Sequence, residues 1–277
     1  MPRPPGDSAL PSALRRIAHA AALVLVFAAI VVCVKWIDVS ALARRQTELL
    51  YWNYASHVLM IAVAIGAGLA LKRSWAEYGL TGHRWKRGVL IGLCSGATLA
   101  LLPLLLEVAL GQLALQSRIA GYWLSTVVFQ VLFVGFGEEL LFRGFLQAEW
   151  NRVFVRRFHI GRVRFGFGLL ATALLFGIAH WLNSYNPLRD RFGLDWSALI
   201  FTTGAGLILG FSRELTGSLF AAVLIHMAAD VYPALFLKGT PGGIGMAVGW
   251  GAAVAVLIFA AHSPAVGDAA PTEQQGD

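Results

Sequence analysis

Apolar stretches of bilayer-spanning length recur along the whole of this 277-residue chain, and nothing else constrains its fold as strongly. Eight can be read, at roughly 17–37, 50–71, 88–110, 122–150, 166–182, 195–211, 217–237 and 242–262, against the ~20 residues that a transmembrane helix needs. Together they take up most of the sequence and leave no room for a separate soluble domain. A mean hydropathy of +0.67 and a charged fraction of only 13% are far from a soluble globular profile. The expected fold is therefore all-α: a polytopic transmembrane bundle of about eight helices enclosing an intramembrane polar cavity.

The first segment follows Arg15-Arg16 and precedes Ala41-Leu42-Ala43, which invites comparison with a signal peptide. Its apolar run is longer than a signal core and ends in Lys35-Trp36-Ile37-Asp38, an interfacial pattern, so a retained helix is expected. Cys33 and Cys94 have neither paired nor metal-like spacing and read as small packing residues.

The net charge of +7 has a membrane explanation rather than a nucleic-acid one. Lys and Arg gather in the N-terminus (Arg3, Arg15, Arg16), the second loop (Lys72, Arg73, Arg84, Lys86, Arg87) and the fourth (Arg152, Arg156, Arg157, Arg162, Arg164). Alternate loops are poorer, with Arg118 in the third, Arg189 and Arg191 in the fifth and Lys238 in the seventh. The positive-inside rule then puts both termini in the cytoplasm. Lys35, Arg44 and Arg45 make the first loop the one that fits this rule worst. An Ala/Arg-rich, Lys-poor composition fits a bacterial inner membrane.

Residues 1–14 and 263–277 read as disordered tails. Gly92 with Gly96, and Gly206 with Gly210, are small-residue pairs that let helices approach closely within the chain. Trp75, Trp85, Trp123, Trp150, Trp181 and Trp196 fall near segment ends, as interfacial anchors do.

The chemistry concentrates in three later segments. Glu138 and Glu139, with Arg143 four residues on, interrupt an otherwise apolar run. Ionisable groups at membrane depth cost several kcal/mol unless paired or hydrated, so they mark a functional site by default. Glu139 and Arg143 share a helix face and can pair, whereas Glu138 is rotated by about 100° and is left over. If the fourth segment surfaces near Trp150, Glu138 lies about 18 Å deep at 1.5 Å per residue. His180, from an entry near Phe167, lies about 20 Å deep, and His226 and Asp230, from Gly217, about 13 and 20 Å deep. Glu138, His180, His226 and Asp230 thus share a level. His57, His19 and Glu107 belong to no such constellation.

A carboxylate beside a neutral imidazole can activate water, and a second imidazole can stabilise a tetrahedral oxyanion. Peptide-bond hydrolysis needs both. Glu138, His180 and His226 could instead supply three ligands of a catalytic zinc with an open position, although the chain has no HExxH pair.

These residues resemble the CPBP intramembrane proteases, the CaaX-processing and bacteriocin-processing group also called Abi. Glu138-Glu139-Leu-Leu-Phe-Arg143 matches the EExxxR motif, Phe176-Gly-Ile-Ala-His180 looks like FxxxH, and His226-Met-Ala-Ala-Asp230 resembles HxxxN/D. The resemblance divides the chain into N-terminal transmembrane helices (15–119), a CPBP-like catalytic core (120–237) and a final helix (238–262). It implies a metal-independent glutamic endopeptidase without cofactor. Glu138 and His180 would activate water, His226 and Asp230 would form the oxyanion site, and Glu139 and Arg143 would support them. Asp230 stands where CaaX-cleaving members carry Asn, so it must be protonated by burial to donate, or else orient His226. The partners implied are the bilayer and a membrane-associated protein or peptide substrate, with no nucleic acid. The competing class is a non-proteolytic membrane protein, such as a transporter, immunity or scaffold protein, using the buried cluster for protons or a ligand.

Overall fold

A computed structural model of the chain describes residues 12–82, 84–111, 120–236 and 243–263. The chain runs through α1 (Ser12–Val39), α2 (Ala41–Leu50), α3 (Tyr54–Ala70), α4 (Trp85–Ala109) and α5 (Ala120–Val153). A hairpin of β1 (Arg157–Ile160) and β2 (Val163–Gly166) leads to α6 (Phe167–Trp181). The pair β3 (Tyr185–Asn186) and β4 (Arg191–Phe192) then leads to α7 (Trp196–Thr216), α8 (Leu219–Phe236) and α9 (Gly243–His262). All eight apolar segments are helical, which follows from the need of each backbone N–H and C=O in lipid for a partner within its own segment.

Five helices, α1, α4, α5, α7 and α9, are long and apolar enough to cross a bilayer, and the pair α2–α3 forms a sixth candidate, bent by 113°. The protein is a multi-pass membrane protein. The bend corrects the second predicted segment: α3 starts at Tyr54, and the residues before it form a separate amphipathic helix. Ser40 caps α2 by accepting from the Ala43 N–H at 3.1 Å. Arg44 and Arg45 ride on α2, which buries Ala43 and has the character of an interfacial helix. That is why the first loop obeys the charge rule so poorly.

Polar contacts sort the helix ends into two sides. Glu149, fully buried near the end of α5, accepts from Arg73 Nε and Nη2 at 2.7 and 2.9 Å. His19 Nε2 lies 3.2 Å from the same carboxylate, so His19 does belong to a polar cluster, contrary to expectation. Arg152 pairs with Glu77 at 2.5 Å, and Arg213 Nη2 donates to the Glu77 carbonyl at 2.6 Å. The Arg162 N–H donates to the Ala261 carbonyl at 3.2 Å, tying the β1–β2 hairpin to the end of α9. The start of α1 and the ends of α3, α5, α7 and α9 therefore share one side. On the other side Lys35 Nζ donates to the Leu182 carbonyl at 2.7 Å and the Tyr54 hydroxyl to the Ser125 carbonyl at 3.0 Å. Arg118, Lys238 and nearly all of the two predicted tails lie outside the described residues. Only at Ser12 to Leu14 is the N-terminal tail described, and there it is already helix.

Both glycine pairs serve close packing. A Cβ on Gly92 would sit 3.0 Å from the Ala221 Cα, and one on Gly96 would sit 3.0 Å from the Leu224 carbonyl oxygen, so α4 and α8 lie nearly backbone to backbone. Gly206 faces the Ala173 Cα at 2.9 Å in the same way, seating α7 on α6. Gly206→Val is expected to force these two helices apart at a cost of about 1–3 kcal/mol. A lower thermal midpoint of the detergent-purified protein checks this, and an unchanged midpoint contradicts it.

Two other packing expectations fail. Cys33 and Cys94 are free and exposed. Ile30 and Ile91, on the same helices, are among the residues buried there instead. Trp85 and Trp196 are exposed as anchors should be, but Trp150 is buried, stacked on Phe154 with centroids 5.6 Å apart. In the α3–α4 loop, Tyr78 is fully buried. Burial pushes its hydroxyl up to about 12, which keeps it a neutral packing group.

Candidate active site

The glutamates sit where α5 departs from regular geometry. Two π-helical stretches, Phe129–Gly135 and Leu140–Leu146, flank the single α-turn Phe136–Glu139. Such widened turns are frequent at functional sites. The glycines of Gly135-Phe136-Gly137 then admit a neighbouring helix on either face. A Cβ on Gly135 would lie 2.6 Å from Met227 Cγ of α8, and one on Gly137 would lie 3.0 Å from Ile61 Cγ1 of α3. This close approach brings the histidines of both helices up to the carboxylates.

Glu139 is fully buried. Its Oε1 accepts from Arg143 Nη1 at 2.8 Å and from His226 Nδ1 at 2.7 Å. The Arg143 guanidinium lies over the Phe176 ring at 4.3 Å and reaches the Gly206 carbonyl at 3.4 Å. One helical turn further along, Gln147 Nε2 donates to the Gly210 carbonyl at 3.2 Å and to Glu214 Oε1 at 2.7 Å. Asn151 adds a bond to Glu214 at 2.8 Å. Residues 139, 143, 147 and 151 thus form one polar stripe of α5, and from Arg143 onward it is zipped onto residues 206, 210 and 214 of α7. Gly206 and Gly210 each supply a carbonyl that the stripe needs. The pairing with Arg143 and His226 is what makes a buried charge of this kind tolerable, although Glu139 Oε2, Arg143 Nε and Gln147 Oε1 have no hydrogen-bond partner among the described residues.

Glu138 points the other way, into a cavity of about 320 Å³. Phe27, Met60, Leu141 and Phe142 make part of its wall apolar, while Lys35, Asp38, Asn53 and His180 contribute polar groups. Glu138 Oε1 lies 3.2 Å from His57 Nε2, and its buried Oε2 has no hydrogen-bond partner among the described residues. His180 stands near the end of α6, which at 15 residues is about 22 Å long and stops short of a full bilayer crossing. Its Nδ1–H donates to the Phe176 carbonyl at 2.9 Å. A carbonyl can only accept, so in the neutral ring this bond places the proton on Nδ1 and makes Nε2 the acceptor.

His180 also lines a second cavity of about 80 Å³, with Thr202, His226, Asp230 and Trp250. There His226 Nε2 lies 3.2 Å from Asp230 Oδ2, so both nitrogens of His226 face carboxylates. Four of the six residues singled out in the sequence line two cavities, Glu138 the larger and His226 and Asp230 the smaller, with His180 common to both, while Glu139 and Arg143 line neither. Of the three candidate zinc ligands, Glu138 and His226 line different cavities. Among the described residues, no three His, Cys, Asp or Glu side chains group as a metal site.

His57 is the residue that the sequence reading missed. The sequence places it in no constellation, yet it is bonded to Glu138. A histidine inside an apolar span was itself a signal, because such groups mark functional sites by default.

Fold and site together define a multi-pass helical membrane protein with a buried carboxylate–imidazole centre. Comparison with known proteins narrows this. A family model described as Type II CAAX prenyl endopeptidase Rce1-like matches residues 120–232. That segment holds Glu138, Glu139, Arg143, His180, His226 and Asp230, whereas His57 lies outside it. The uncharacterized protein YpbD of Bacillus subtilis (strain 168) is 30% identical over 104 residues, 38% of this chain. The chain spans 41% of the length of that curated relative.

Proposed function

We propose that this protein is a glutamate-dependent intramembrane endopeptidase acting on a membrane-associated protein or peptide. The observation that carries this is the disposition of Glu138. One oxygen is held by His57, and the other is buried and unpartnered beside a cavity that His180 also lines. A carboxylate and an imidazole lining one cavity suit a water molecule that must lose a proton. The family of the matched segment, by its description, consists of endopeptidases.

In this mechanism a water bound between Glu138 and His180 gives a proton to Glu138 as its oxygen attacks the scissile carbonyl. The tetrahedral oxyanion is stabilised by N–H donation from His226 Nε2. Asp230, which faces that nitrogen in the free protein, orients the ring. Collapse breaks the C–N bond, and the proton returns from Glu138 to the leaving amine. Glu139 and Arg143 hold His226 without touching substrate. The apolar walls of the larger cavity suit a lipid-linked or transmembrane substrate. The shared side of the first and last described helices, together with the arginine-rich hairpin on that side, supports cytoplasmic termini in a bacterial inner membrane.

Purified protein in detergent, mixed with a membrane peptide, tests the reading. Cleavage is expected to survive thorough chelation and to be lost in both Glu138→Ala and His180→Ala. Equal cleavage by wild type and both variants would rule the mechanism out, and activity lost to chelator and restored only by zinc would overturn its metal-free form.

A further inference from the structure

We propose that His57, on α3 and outside the family-matched segment, is a positioning residue that presents the Glu138 base to water; the role rests on the endopeptidase reading of that site. An ionised carboxylate only accepts, so the 3.2 Å contact is a bond donated by His57 Nε2–H to Glu138 Oε1. The other ring nitrogen, Nδ1, is buried without a partner.

His57 is itself held in place. Its ring meets Phe129 edge-on, with centroids 4.9 Å apart. Phe129 is stacked on Trp52 at 5.0 Å, and Trp52 Nε1–H donates to Thr126 Oγ1 at 3.0 Å. Tyr54 closes the other side of Phe129, again at 5.0 Å. The start of α3 and the first π-helical stretch of α5 thereby form an aromatic mount for one imidazole.

The other charged and titratable groups on this cavity are engaged elsewhere. Lys35 donates to the Leu182 carbonyl at 2.7 Å, Asp38 accepts from Asn53 at 2.9 Å, and His180 Nδ1–H donates to the Phe176 carbonyl. Only His57 among the described residues makes a hydrogen bond to Glu138. With Oε1 anchored, the carboxylate is held in one orientation at the edge of the cavity that Glu138 lines, the preorganisation that proton abstraction requires.

The test uses the full chain in detergent micelles with an internally quenched farnesylated CAAX peptide as probe. His57→Phe keeps a ring and removes the donor, whereas His57→Gln keeps an N–H that can reach the same oxygen. His57→Phe is expected to lower kcat roughly 10- to 100-fold, the size of one hydrogen bond to a charged group, with little change in KM. His57→Gln should recover most of kcat at an equal thermal midpoint. Unchanged kcat in His57→Phe, or equal loss in both variants, overturns the proposal.

A second arm needs no substrate. A hydrophobic carbodiimide attacks protonated buried carboxyls, and mass spectrometry quantifies the adduct on the Glu138 peptide, with Glu138→Gln as the blank. Labelling should rise in His57→Phe and stay low in wild type and His57→Gln. Equal labelling in all three contradicts the role of His57. Absence of cleavage by wild type, with the labelling pattern intact, counts against the endopeptidase reading alone.

Discussion

Replacing Glu138 with Gln is expected to lower kcat by about 10²- to 10⁴-fold, the contribution of a positioned general base. The substitution is close to isosteric. Its amide oxygen can still accept the His57 N–H, and its volume still fills the turn between the two π-helical stretches. Stability should therefore hardly change, which separates this variant from those that damage the bundle. What is lost is the capacity to take a proton from water, since an amide is not a base at neutral pH. Initial rates measured beside a thermal melt check both halves of the expectation. A fully active Glu138→Gln protein would mean that the water is activated elsewhere.

Removal of Arg143 should have the largest effect on stability. Arg143 and Glu139 are both fully buried. Breaking a buried pair by deleting one partner costs about 3–5 kcal/mol, because the other charge remains without compensation. Arg143→Leu would also forfeit the contact with the Phe176 ring and the bond to the Gly206 carbonyl. A sharply lower unfolding midpoint in mild detergent is expected, with loss of activity following from disorder at His226. The double variant Glu139→Gln/Arg143→Leu should regain part of that stability, since the unpaired carboxylate is gone. If the double variant is as unstable as Arg143→Leu, the penalty comes from packing and not from an orphaned charge.

Much of this arrangement was legible in the residues. Bilayer-length apolar runs located every long helix, because lipid leaves the backbone few alternatives. The i, i+4 spacings predicted the Glu139–Arg143 and His226–Asp230 contacts, since such pairs depend on one helix alone. What escaped depends on which helices are neighbours and how they bend. His57 reaches Glu138 only because Gly137 lets α3 against α5, and one helix's periodicity says nothing of that. The π-helical turns leave no compositional mark. The amphipathic α2 was hidden because its leucines merge with the apolar run that follows it. His226 is expected to form the oxyanion site, but a contact across helices with Glu139 and one within its own helix with Asp230 give both of its nitrogens to carboxylates.

The central claim is that water activated at Glu138 cleaves a peptide bond within the membrane. Its most direct test is mass spectrometry of a farnesylated CAAX peptide incubated with the purified, bilayer-reconstituted protein in the presence of a chelator, wild type beside Glu138→Gln. The account predicts one new peptide C-terminus with wild type and none above background with the variant. Equal product from both proteins, or none from wild type, would contradict it.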